Sequence, residues 1–362
     1  MSTAPLAGVR LIEFDGMGPV PLAGRLLCAM GADIVRIAKA GSADRPGSSL
    51  LLHDRPVVRL DLKSPTDLTT VRDLIDRADG LMEGFRPGVM ERLGIGPQRC
   101  QARNPALVYV RVTGWGQEGP LAQAAGHDLN YLALSGILHA IGPADRPPPP
   151  PLNLIGDYGA GSAMAVIAML GGLMQVRNGA KGEVIDVAMI DGIAALSTSI
   201  HALSKAGRWS EYRDDNMLDG AAPFYRCYSC ADGEFIAVGA LEPLFFAELV
   251  AKLGFEKGRW VQRNRSDWPD MAAAFTERFA SQARDEWVAL FEGSDACVTP
   301  VLSFGEAVRH PHNVARRIFT EGLPSPVPRF HSADGPAMRC GEELAATVLD
   351  RWAKTPSGPK CR

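Results

Sequence analysis

Val9-Arg10-Leu11-Ile12-Glu13-Phe14, an apolar-periodic stretch over 22–30, Gly31, and Ile34-Val35-Arg36-Ile37 follow one another near the start of the chain. The outer two are aliphatic runs of strand length. The middle one repeats its apolar residues at helical spacing and stops at a glycine. Strand, helix and strand in this order predict a βαβ unit with parallel strands. Between the first strand and the helix lies Gly16-Met17-Gly18-Pro19-Val20-Pro21, close to the glycine-rich turn of a dinucleotide site. The match fails twice: Pro21 holds the third glycine position, and Ala38-Lys39 stands where a ribose-binding acid belongs. A nicotinamide or flavin cofactor is not expected.

Outward from this unit the alternation continues. Val57-Val58-Arg59-Leu60-Asp61-Leu62 reads as a strand, and Lys63-Ser64-Pro65-Thr66-Asp67 opens a helix with Ser64 as N-cap and Pro65 at its first position. Residues 80–85 return to the sheet, 86–94 hold a short helix closed by Gly94, and 107–112 form another strand. The pattern predicts an α/β domain whose parallel sheet carries helices on both faces and binds ligands at the carboxyl ends of its strands. Helices are expected from Gly126 toward His139, over 161–176 and from about Asp191, with a strand over 183–189 and a polyproline spacer at 147–151. Further on, 224–230 and 234–239 flank Ala231-Asp232-Gly233 as a hairpin, and helices over 243–253 and 284–291 with a strand over 297–302 complete a smaller α+β unit. The domains are thus read as 1–206 (large), 207–223 (linker), 224–315 (small α+β) and 316–362 (a return linker and a C-terminal helix packing on the large domain).

Composition narrows the class. With 362 residues, 46% hydrophobic, 22% charged and a formal charge of −3, the chain is ordinary globular protein without the basic footprint of a nucleic-acid binder. The N-terminal residues lack a signal pattern, and the most apolar run, 163–173, is shorter than a membrane span and broken by Gly171-Gly172, so it reads as a buried helix. Seven scattered cysteines suit a reducing compartment. A cytoplasmic protein with a small-molecule partner, and neither nucleic acid nor membrane, is expected.

The residues with chemistry are few. In Ala125-Gly126-His127-Asp128-Leu129-Asn130-Tyr131 an imidazole stands at a helix start, Asp128 fits an N-cap, and polar Asn130 and amphipathic Tyr131 follow within a turn. Asp157, in Ile155-Gly156-Asp157-Tyr158-Gly159-Ala160-Gly161, sits where a second helix begins with little side chain around it, so free N–H groups there could stabilise an oxyanion. Either residue could instead be purely structural. Glu242, just before Pro243, is a third candidate and equally a helix-start acid. Cys227-Tyr228-Ser229-Cys230 lacks a second pair to complete a zinc site and reads as packing; His310-Pro311-His312 reads as a solvated turn. No metal site is expected.

Taken in order, Pro5 through Arg10, Gly31 through Ile37, Asp61-Leu62-Lys63, Glu83 through Gly88, Glu91 through Gly94, Thr113-Gly114-Trp115-Gly116, Gly126 through Tyr131, Pro151 through Asp157 and Asp186 through Gly192 resemble the α-methylacyl-CoA racemases of the class III CoA-transferase superfamily. The likeness runs through most of the chain, and Gly-His-Asp-x-Asn-Tyr is the racemase form of its motif. The resemblance implies a Rossmann-like large domain, an interlocked homodimer with active sites shared between subunits, and an acyl-CoA substrate. It implies acid–base roles for His127 and Asp157, with Glu242 bonded to His127. It implies CoA contacts from Lys39, Leu60, Asp61, Leu62, Lys63, Gly84, Phe85, Arg86 and Arg92, substrate contacts from Gly126, Asp128, Leu129, Asn130 and Tyr131, and no cofactor beyond the CoA of the substrate. Tyr158, Ala160 and Lys39 depart from the usual residues at their positions. The reaction expected is inversion of the α-carbon of a 2-methyl-branched acyl-CoA through an enolate; a CoA-transferase using Asp157 as nucleophile and a silent acyl-CoA-binding protein stand as alternatives.

Overall fold

A computed structural model describes residues 4–43, 49–52, 54–330 and 340–354. They form two compact units, each taken by itself below.

The first unit comprises the residues up to Ile137, Pro150–Thr198 and those from Pro326 on. Its elements are β1 (Arg10–Phe14), α1 (Pro19–Ala29), β2 (Asp33–Lys39), α2 (Ser49–Leu52), β3 (Val57–Leu60), α3 (Pro65–Ile75), β4 (Gly80–Glu83), α4 (Val89–Arg92), α5 (Pro97–Arg103), β5 (Val108–Thr113) and α6 (Asp128–Leu134). After a π-helix over Leu154–Ala163 come α7 (Met164–Arg177), β6 (Val184–Ala188) and α8 (Met189–Leu196). The six strands are all parallel in the order β3-β2-β1-β4-β5-β6, a doubly wound sheet whose strand order reverses between β1 and β4. Crevices at such a reversal open at the carboxyl ends of the strands.

The sequence reasons for these elements hold in detail. Gly31, at φ +95°, ends α1: its N–H donates to Cys28 O at 2.8 Å and Ala32 N–H to Leu27 O at 3.2 Å, a left-handed stop that glycine takes without steric cost. Ser64 caps α3 through a hydroxyl that accepts from Asp67 N–H at 3.4 Å, with Pro65 inside the first turn. Helix α1 starts earlier than its apolar pattern, because Pro19 and Pro21 both fit a first turn that needs no N–H from them. Two apolar layers flank the sheet, one built on Phe14, Val58, Leu81 and Tyr109, the other on Leu11, Leu27, Val110 and Met169.

Two expectations change. The helix after Gly126 stops at Leu134, where Gly136 turns left-handed (φ +85°). The apolar run at 163–173 extends back through the π-helix into one helix over Leu154–Arg177, 24 residues with a mean hydropathy of 1.5, long and apolar enough to cross a membrane. It is not simply buried: Ala165 and Met169 are fully covered, while Leu154, Ile167 and Met174 are each more than half exposed.

The second unit comprises Leu138–Pro149 and Ser199–Ser325. The 138–149 loop belongs here because Arg213 holds it, donating to Pro143 O at 3.1 Å and Arg146 O at 2.9 Å. Helix α9 (Thr198–Lys205) leads to β7 (Tyr225–Ser229), β8 (Phe235–Gly239), α10 (Pro243–Lys252), α11 (Trp268–Phe279), α12 (Arg284–Phe291) and β9 (Val298–Pro300). Short α13 (Phe304–Ala307), α14 (Pro311–Ala315), β10 (Phe319–Thr320) and β11 (Leu323–Pro324) follow. Strands β7, β8 and β9 form an antiparallel sheet over an aromatic core of Phe224, Tyr228, Phe275, Phe279 and Trp287. The chain ends its described course in α15 (Ala345–Lys354), which returns to the first unit, where Val348 and Trp352 are buried against the Phe14 layer.

Candidate active site

His127 is the last residue before α6, in an extended conformation (φ −132°, ψ 173°), and its side chain is exposed. The Asn130 carboxamide accepts its backbone N–H at 3.0 Å. This shifts the expected cap by one residue: with His127 as N-cap, Asp128 enters the helix and its carboxylate turns inward. There Asp128 is 4% exposed and accepts the Asp157 N–H at 2.7 Å. Tyr131 fixes the same turn. Its hydroxyl donates to Gly126 O, and its ring stands edge-on to Trp115 at 4.8 Å. A Cβ on Gly114 would lie 2.1 Å from that ring, so the exit of β5 and the start of α6 interlock only over a glycine. Burial, with the Asp157 and Asp128 charges, pushes the Tyr131 hydroxyl up to about 12, which keeps it a donor at neutral pH.

Asp157 lies in the first turn of the π-helix, behind the N-cap Asn153. The expectation that its own helix start leaves free N–H groups is corrected: the helix begins at Leu154, and the Asp157 amide is spent on Asp128. Ser162, fully buried, donates to Pro19 O at 2.7 Å and so ties this wide turn to α1. Asn153 Nδ2–H donates to Asp157 Oδ2 at 3.3 Å. Burial lifts the Asp157 carboxyl above its ordinary 3.8; the Asn153 bond pulls it back, the Asp128 charge adds to the rise, and His127 opposes it.

Both side chains line one cavity of 1010 Å³, walled by loops that leave β1 (Asp15 to Gly18), β4 (Gly84 to Pro87) and β5 (Gly114, Trp115). It opens where the topology places a ligand crevice. Lys39, Gly84, Phe85, Arg86, Gly126 and Tyr131, expected as CoA or substrate contacts, also line it. Leu60, Asp61, Leu62, Lys63, Arg92, Leu129 and Asn130 do not. Leu60 is buried in the Phe14 layer with Leu62 packed beside it, while Asp61 accepts the Lys63 N–H at 3.0 Å. Asp128 lies behind the wall, as a support. Glu242 belongs to the second unit, where it is the exposed N-cap of α10.

Sequence reasoning missed Asn153, Trp115 and the Arg36–Asp15 ion pair at 2.7 Å, which also form this wall. Asn153 left a trace four residues before Asp157, and Trp115 another within the Thr113-Gly114-Trp115-Gly116 match. Among the described residues no three His, Cys, Asp or Glu side chains gather as metal ligands. Of the Cys-x-x-Cys pair only Cys230 packs in a core; Cys227 is exposed. His310 is the N-cap of α14.

The profile of CoA-transferase family III matches residues 6–339. The chain is similar to the α-methylacyl-CoA racemase of Mus musculus, 44% identical over 327 residues that cover 89% of this chain and 85% of that one. It is likewise similar to the α-methylacyl-CoA racemase of Homo sapiens, 43% identical over 87% of this chain and 82% of that one. Succinyl-CoA--D-citramalate CoA-transferase of Chloroflexus aurantiacus is 27% identical, over 98% and 89% respectively. The crystal structure of a CAIB/BAIF family protein from Brucella suis superposes with a TM-score of 0.81 over 97% of this chain and 100% of that one, at 24% identity, which confirms the fold.

Proposed function

We propose that this chain, which belongs to CoA-transferase family III, is an isomerase that inverts the α-carbon of 2-methyl-branched acyl-CoA thioesters. The observation that carries the reading is that His127 and Asp157, on separate elements, line one cavity and act on each other electrostatically. One base breaks the α C–H bond, the electron pair moves onto the thioester oxygen as an enolate, and the other group returns a proton to the opposite face. For the other enantiomer the roles exchange. Each group contributes about 10²–10⁴-fold. The enolate oxygen needs N–H donors, each worth about 2.7–4 kcal/mol by analogy with other oxyanion sites. With the Asp157 amide occupied and the Asn130 amide spent on His127 O, the Asp128 amide, directly after His127 at the start of α6, takes that role.

No redox or metal step enters this balance, so the reading includes no cofactor beyond the CoA of the substrate. Lys39 and Arg86, exposed on the cavity wall, meet the CoA phosphates. Leu60 to Lys63 and Arg92 serve as contacts along the CoA arm outside the wall. A homodimer belongs to the proposal, with Glu242 of one subunit reaching His127 of the other. The exposed apolar face of Leu154, Ile167 and Met174 supports a second copy as its cover, because the opposite face of the same helix packs on the central sheet. The six described cysteines are free thiols, which supports a cytoplasmic setting.

The test uses one pure enantiomer of a 2-methylacyl-CoA in deuterium oxide. Exchange at C2 with loss of optical purity and no acceptor acid is expected. Thioester transfer only on adding an acid would make the chain a transferase, and bound CoA without either reaction a binding protein.

A further inference from the structure

We infer that Asp128 is a positioning residue for this reaction: its buried carboxylate grips the Asp157 main chain and so fixes where the Asp157 carboxyl stands relative to His127. The inference rests on the racemase reading above.

Three observations meet here. Asp128 is 4% exposed, and its one hydrogen-bond partner among the described residues is the Asp157 amide, 2.7 Å from Oδ2; Oδ1 has none. A carboxylate in that setting is costly, and an acid serving only the start of α6 could stay in water. The neighbouring Gly156 makes room for it. A Cβ there would stand 2.7 Å from Asp128 Oδ2 and 2.9 Å from its Cγ, so a side chain at 156 would push this carboxylate aside. Finally, Asp128 follows His127 in the chain. The imidazole and the anchor of the opposing carboxyl are thus adjacent residues of one segment, and a single link of two residues and one hydrogen bond sets the spacing of the pair.

The charge has a second consequence. The groups acting on Asp157 are Asn153, Asp128 and His127, and Tyr131 in turn feels its charge. The other elements packed on the π-helix touch it through Gly18, Pro19, Met189, Gly192 and Leu196, while the acid of α8, Asp191, is exposed and is not among the groups acting on Asp157. Asp128 is the one acid among the groups acting on Asp157, and it favours the protonated carboxyl.

Asp128→Ala removes both anchor and charge, whereas Asp128→Asn keeps an acceptor oxygen and removes the charge alone. Expected for Asp128→Ala is a loss in kcat for C2 exchange on the order of 10²-fold, with KM for the acyl-CoA changed less than about threefold. Asp128→Asn recovers much of that loss and moves the acid limb of its pH profile down by about one unit. If both variants match the wild type in kcat and limb, the inference is overturned. Should they not fold, Gly156→Ala, which presses on the same carboxylate, must show the same split between kcat and KM; wild-type kinetics there would overturn it too. A wild-type protein with no C2 exchange would sink the racemase reading instead. In that case a carbon-13 titration of the Asp157 carboxyl, with and without Asp128→Asn, still decides the coupling: a lower midpoint in the variant supports it and an unmoved one removes it.

Discussion

The two walls of the cavity bring His127 and Asp157 into place by opposite means. His127 stands exposed just ahead of a short, regular α-helix, with its backbone held by Asn130. Asp157 is half-buried in a ten-residue π-helix, pinned by Asp128, Asn153 and Ser162. Among the described residues the imidazole is held through its backbone alone, so what the protein sets there is its aim. A carboxyl gives up its proton readily in water, and burial makes Asp157 hold that proton more firmly, as the proposed return of a proton to carbon requires. The irregular helix is found on the side that requires tuning.

The contrast can be broken most forcefully on the His127 side. His127→Ala should slow inversion of the α-carbon by about 10²–10⁴-fold while the affinity for CoA, read by calorimetry, stays nearly unchanged; equal losses in both would mean that the residue only shapes the site. On the Asp157 side the effects are subtler. Asn153→Ala removes the bond that favours the carboxylate, so the acid limb of kcat/KM should move to higher pH, by up to about one unit; a shift downward would show that the Asn153 bond does not favour the carboxylate. The smallest effect is on stability. The native pKa of Asp157 lies above its ordinary 3.8, so below that pH both folded and unfolded chains hold the proton, and as pH rises the folded chain alone bears the cost of a buried charge. Asp157→Asn should therefore raise the melting temperature by about 1–3 °C at neutral pH and leave it unchanged below about pH 3.8. The gain is small because the carboxyl is only half covered.

How far the sequence could be read follows the same division. The β1–α1–β2 unit, the Ser64 cap and the 224–239 hairpin were legible because each depends on local periodicity or turn chemistry. His127 and Asp157 were legible through glycine-bounded motifs and family likeness. The π-helix was not, since Leu154–Ala163, with three glycines, carries no apolar period that would tell its wider turn from an α-helix. The inward turn of Asp128 was equally hidden: an acid at a helix start reads as a cap, and its partner lies 29 residues away. Helices α5 and α11 went unread, the first too short for a periodic signal and the second preceded by a loop with no marked break.

The measurement that reaches the central claim most directly is deuterium incorporation at C2 for each pure enantiomer, in His127→Ala and in Asp157→Asn. Two groups on opposite faces predict that each variant still exchanges one enantiomer, with retention of configuration, and that the enantiomer exchanged is the opposite one in the other variant. If either variant inverts both enantiomers, or if both variants exchange the same one, His127 and Asp157 do not face each other across the α-carbon.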